Sequence, residues 1–282
     1  MSTLDYEVDG RIARITLDRP ERANAITFET PRELADCVER ANLDPDVHVI
    51  ALTGRGKGFC GGYDLTEFAE GEIPNHDPND PWDPVVDWQA MSRNVRGFMS
   101  LFHSDKPVVC KVHGYCVAGG TDMALCSDLL VIADDARIGY SPARVWGVPT
   151  TALWAWRLGP ERAKRLLFTG DLISGAQACD WGLAIEAPPA AELDRRFEEL
   201  LQHIALTPVN QLVMMKLLVN QVHYAQGLHA TQVLGSFFDG IARHTPEGYA
   251  FRARAREAGF RQAVRERDEP YGDAPPPPAG DA

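Results

Sequence analysis

Two stretches of this chain place glycines where main-chain amides could be aimed at a ligand. They are Phe59-Cys60-Gly61-Gly62-Tyr63-Asp64-Leu65 and His113-Gly114-Tyr115-Cys116-Val117-Ala118-Gly119-Gly120-Thr121-Asp122. Glycine lets the backbone come close to a bound group and adopt positive φ. Taken alone, each stretch reads as a tight strand-to-helix turn. Together they can direct two N–H groups at one oxygen, which is how a developing oxyanion is stabilised. Asp122, at the end of the second stretch, reads by itself as an acid at a helix N-terminus, favoured by the dipole.

Other chemistries fit less well. Gly56-Lys57-Gly58-Phe59-Cys60-Gly61 matches G-x-G-x-x-G, but the crossover helix, second apolar strand and downstream acid of a dinucleotide unit do not follow. Lys57 lacks the Ser or Thr of a phosphate loop. The six cysteines include no Cys-x-x-Cys and the eight histidines no His-x-x-x-His, so no metal site is expected and the thiols read as reduced. With 282 residues, 45% hydrophobic and 24% charged, the composition is that of a globular chain. A net charge of −12 argues against a general nucleic-acid binder. No apolar run is long enough to span a membrane, and the first residues do not read as a signal peptide, so a cytoplasmic protein is expected.

The elements that must hold these loops are legible as patterns. Tyr6–Val8 and Ile12–Leu17 flank the turn dipeptide Asp9-Gly10 and predict a hairpin. Thr27–Ala41 predicts a helix, with Leu34, Val38 and Ala41 on one face. Val47–Thr53, Pro107–Val112, Leu129–Ala133 and Arg137–Tyr140 predict strands, with helices over Trp88–Phe102 and from Gly119, hence parallel pairing. Glu70–Pro84 is a polar insertion with the composition of a surface loop. Beyond residue 150 the pattern is almost wholly helical, with Leu193, Phe197, Leu200 and Ile204 striping one face and further helices over 209–221, 227–243 and 246–266. Ala274–Ala279 is proline-rich and predicts disorder.

Four ordered segments give the chain a resemblance to the crotonase (enoyl-CoA hydratase/isomerase) superfamily. Arg19-Pro20-Glu21-Arg22-Ala23-Asn24-Ala25 is similar to that family's Arg-Pro-Glu-Lys-x-Asn-Ala segment. Phe59–Leu65 resembles its first oxyanion loop, Gly114–Asp128 its second, and Ile138–Pro149 its Phe-Gly-x-Pro-Glu segment. The resemblance implies an α/β fold: a spiral of ββα units with a helical C-terminal region that trimerises, possibly as a dimer of trimers. An acyl-CoA core is expected over 1–190, helices over 191–268 and a disordered tail over 269–282.

It also implies site roles. An acyl-CoA thioester is the expected substrate, with no cofactor beyond the CoA it carries. The amides of Gly61 and Gly119 become the oxyanion donors and Asp122 the acid/base. Arg22, Ala23 and Ala25 are expected to meet CoA, with Phe251 and Arg254 contributing from the C-terminal region. Phe59, Gly62, Tyr63, Asp64, Leu65 and Gly120 complete the substrate-binding loops. The second glutamate of family hydratases falls at Ala143, and no acid lies anywhere from Ile138 to Val148. Glu67, Tyr140 and Ser141 are the candidates to compensate. Hydration with an atypical acid/base set is the leading expectation, beside isomerisation with one acid or acyl-CoA binding without turnover. Tyr63, Phe68, Trp82 and Trp88 suggest a bulky acyl pocket.

Overall fold

The computed structural model describes residues 2–72, 75–77 and 80–272. The proline-rich 274–279 segment and parts of the 70–84 insertion lie outside these residues. Strands β1 (Leu4–Asp9) and β2 (Ile12–Leu17) pair antiparallel around Asp9-Gly10. Strands β3 (Val49–Gly54), β4 (Val108–Val112) and β6 (Leu129–Ile132) then add in parallel, giving a five-stranded sheet in the order β1-β2-β3-β4-β6. A smaller sheet pairs β5 (Tyr115–Val117) with β7 (Arg137–Gly139) and β8 (Leu172–Ser174). Val49, Ile50, Ala51 and Leu52 of β3 are all buried, as expected of a parallel strand covered on both faces.

Helices α1 (Thr30–Leu43), α2 (Pro84–His103) and the short α3 (Gly119–Ala124) interleave with the strands. The short helices α4 (Trp154–Leu158), α5 (Pro160–Thr169) and α6 (Gly175–Asp180) follow. The C-terminal region holds α7 (Leu193–Ala205), α8 (Val209–Ala225), α9 (Leu228–Arg243), α10 (Pro246–Ala258) and α11 (Phe260–Asp268). Where one helix over 246–266 was expected there are two, because Gly259 at φ +84° breaks the run. Glu269–Tyr271, expected in the disordered tail, forms a 3-10 turn. Among the described residues no helix is long and apolar enough to cross a membrane.

α8 is inverted relative to an ordinary surface helix. Lys216 and Asn220 face inward, and the Lys216 ammonium donates to the Leu101 and Lys106 carbonyls and pairs with Asp128 at 2.8 Å. Met214, Met215, Leu217, Leu218, Val219 and Val222 are exposed.

Candidate active site

Three sequence segments are laced together at the mouth of one cavity. The Phe59 and Val117 amides exchange hydrogen bonds with the Tyr115 and Cys60 carbonyls at 2.9 and 3.0 Å, which sets the two glycine loops side by side. The Ile26 amide donates to the Gly62 carbonyl, and the Asp64 amide to the Ile26 carbonyl. Asn24 staples this junction: its Nδ2 donates to the carbonyls of Arg55, Gly58 and Phe59, while its Oδ1 accepts the Arg19 amide. Arg19 closes the far side on Asp64 at 3.1 Å.

This lacing decides which amides are free. The Gly61 N–H, expected to be a donor to substrate, is spent on the Ala23 carbonyl at 2.9 Å. Alternate amides of an extended segment point to opposite sides. Because the Asp64 amide turns toward Ile26, the Tyr63 amide between them turns away. It meets no acceptor among the described residues, and Tyr63 lines the cavity. The Gly119 amide is likewise without an acceptor and lies on the same wall. Gly62 makes this possible. At φ +100°, with its missing Cβ directed at the Ala118 Cβ and within 3.6 Å of the Gly119 nitrogen, it brings the loops into contact. Ala118, at φ 53°, turns the chain into Gly119, a strained conformation of the kind that collects at functional sites.

The cavity is about 520 Å³, within the range of small-molecule sites. It is lined by Arg22, Ala23, Ala25, Phe251, Arg261 and Arg267, and by Tyr63, Phe68, Met91, Tyr140, Trp146 and Thr150. Asp64, Leu65 and Ser141 also border it. Asp64 is engaged by Arg19 and the Thr66 amide, and Ser141 Oγ accepts from Arg267. Several expected residues are elsewhere. Phe59 is a fully buried core side chain, and Gly120 packs on Cys60. Arg254 is bound on the surface by Glu257 and Glu266; Arg261 and Arg267 hold the positions on the cavity that were expected of it. Glu67 faces solvent near the Phe28 amide and does not border the cavity. Trp82 stacks on His244 and Trp88 on Phe237, both away from the lining.

Asp122 is buried and does not itself border the cavity; it sits beside Tyr63 and Tyr140, which do. Its Oδ1 accepts the Thr151 hydroxyl at 2.8 Å and the Thr151 amide at 3.2 Å, while Oδ2 has no partner. Burial pushes its carboxyl up to about 7, against the pull of the Thr151 hydrogen bonds and with a smaller push from Asp239. Ala143 lies in the 3-10 turn Ser141–Arg144 and supplies no carboxyl there. A carboxylate does reach the cavity from α9, where Asp239 and Arg243 line it, and sequence reasoning missed both. A signal existed: Gln232, Ser236, Asp239 and Arg243 fall at i, i+4, i+7 and i+11, a polar stripe, and that stripe is the buried face.

Comparison with known proteins agrees with this geometry. A sequence profile of the enoyl-CoA hydratase/isomerase family matches residues 7–234. The chain is 60% identical to a crystal structure of an enoyl-CoA hydratase from Mycobacterium smegmatis, covering 98% of this chain and 96% of that one with a TM-score of 0.93. It is 32% identical to carnitinyl-CoA dehydratase of Proteus mirabilis over 207 residues, 72% of this chain and 74% of the relative. It is also 29% identical to 1,2-epoxyphenylacetyl-CoA isomerase of Escherichia coli over 223 residues, 76% and 80% of the respective chains. With its paired glycine loops, their free amides and these relatives in agreement, the chain belongs to the enoyl-CoA hydratase/isomerase family, within the crotonase superfamily, and is an acyl-CoA enzyme of that type.

Proposed function

We propose that the enzyme is an enoyl-CoA hydratase-like hydro-lyase with an unusual acid/base set. The thioester carbonyl sits between the amides of Tyr63 and Gly119, and Asp122 exchanges the proton at C2. The observation that carries this reading is the pair of unpartnered amides on one cavity wall. They meet charge that develops on the oxygen in the transition state, so they act on rate more than on ground-state binding. Asp122 stands behind the lining, held through Oδ1 with Oδ2 unbonded, and its proton passes to and from C2 by way of a water at the cavity wall. The Tyr140 side chain borders the cavity and can orient a water. Arg22 and Arg261, on the cavity lining, supply positive charge for the CoA phosphates.

The absence of a carboxyl at 143 favours a second reading, double-bond isomerisation with one acid. Incubation with crotonyl-CoA in deuterium oxide separates the two. Hydration yields 3-hydroxybutyryl-CoA carrying deuterium at C2. Isomerisation yields no hydrated product but converts 3-butenoyl-CoA to crotonyl-CoA. An enzyme that binds these esters and does neither contradicts both, leaving an acyl-CoA binding protein.

We further propose a homotrimer or dimer of trimers, supported by the outward apolar face of α8.

A further inference from the structure

Asp239 and Arg243 stand on adjacent turns of α9 and form part of the cavity wall, the side chains otherwise buried. Asp239 Oδ1 accepts the Val148 amide at 3.2 Å, and Oδ2 lies 3.3 Å from Arg243 Nη2. Arg243 Nε donates to the Asp239 carbonyl at 3.3 Å, and Nη2 is 3.6 Å from an Asp87 oxygen. Nη2 is buried between these two carboxylates, whereas Nη1 makes no hydrogen bond among the described residues, in a residue only 7% exposed. Thr150 Oγ1, which lines the same cavity, is also buried and unsatisfied. Leaving a charged donor unsatisfied is costly, and against a plain alkyl chain nothing would repay it.

We propose that the Asp239–Arg243 pair recognises a hydroxyl group on the acyl chain of the thioester substrate. The inference rests on the acyl-CoA reading above and names the kind of acyl group. A hydroxyl oxygen accepts from Arg243 Nη1 while its hydrogen is donated to Asp239, so both groups are completed at once. A carboxylate meets Asp239 and Asp87 around a single guanidinium and is repelled. An ammonium brings donors to Nη1, itself a donor, and leaves it unsatisfied.

Binding of saturated thioesters tests this without requiring turnover. Titration calorimetry compares hexanoyl-CoA with 4-, 5- and 6-hydroxyhexanoyl-CoA. At least one hydroxylated ester is expected to bind about tenfold more tightly than hexanoyl-CoA, the effect of one charge-assisted hydrogen bond. The ratio should fall several-fold in Asp239→Asn and vanish or invert in the Asp239→Leu/Arg243→Met double variant. The isosteric Asn variant keeps the test usable if the double variant fails to fold. Equal binding of all four esters, an unchanged ratio in Asp239→Asn, or a stronger preference for a 6-carboxy or 6-ammonio chain overturns the proposal. A hydroxyl preference without turnover of any enoyl ester leaves this recognition intact and contradicts only the hydratase reading. Failure to bind any CoA ester contradicts both.

Discussion

At the scale of single residues the account turns on Asp122 and on which amides are free. A carboxyl held at about 7 by burial is suited to give and take a proton near neutrality. The rate should therefore show a limb with an inflection near pH 7 that disappears in Asp122→Asn. That variant should lose roughly 10²- to 10⁴-fold in kcat while its affinity for a CoA ester, read by calorimetry, stays nearly unchanged. Stability should respond as well. The folded-state value lies above the ordinary aspartate value of 3.8, so the wild type loses stability as pH rises through the window from about 4 to 7. Asp122→Asn should consequently resist urea better than wild type at pH 8, by on the order of 4 kcal/mol, with the gap closing toward pH 4. The identity of the first amide was not legible in the sequence. Glycine marks where the chain bends, and Gly61 was the natural choice, yet the bend at Gly62 presents the amide of the following residue, Tyr63, while Ala23 takes that of Gly61.

At the scale of elements, the loops work because neighbouring segments hold them. An alanine Cβ at Gly119 would lie 2.6 Å from the Tyr63 ring. Gly119→Ala should therefore displace that ring and the paired amides, lowering kcat about 10²- to 10³-fold, with circular dichroism unchanged. Asn24→Ala removes one side chain that holds three carbonyls, those of Arg55, Gly58 and Phe59, on the approach to the first loop. It should cost roughly 3 kcal/mol in chemical unfolding and lower activity as well. Much of this scaffold could be read in advance. The hairpin followed from Asp9-Gly10 between alternating runs, and the parallel strands from apolar stretches such as Val49–Leu52, because local pattern and buried environment coincide there. The wall contributed by α9 could not be placed, since contact between Asp239 and the Val148 amide joins residues far apart in the chain. Of the small sheet, β7 was read from Arg137–Tyr140, while β5 and β8 escaped because three residues are too few for a period to register.

At the scale of the whole molecule, α8 places charge inward and hydrocarbon outward. Exposed Leu217, Leu218, Val219 and Val222 form a patch that a lone protein keeps out of water only by association. Sedimentation velocity is expected to give a trimer or hexamer. Leu218→Glu with Val222→Glu, four residues apart on one face, should shift the enzyme toward monomer with the secondary structure retained. A wild-type protein that sediments as a monomer at micromolar concentration contradicts the oligomer proposed here.

The central claim, that two main-chain amides polarise one carbonyl, is tested most directly by a crystal structure with a slowly turned-over acyl-CoA ester bound. The thioester oxygen should lie about 3 Å from both the Tyr63 and the Gly119 nitrogens, with Gly61 still bonded to Ala23. A thioester seated in the cavity with its oxygen beyond reach of either nitrogen would contradict the account.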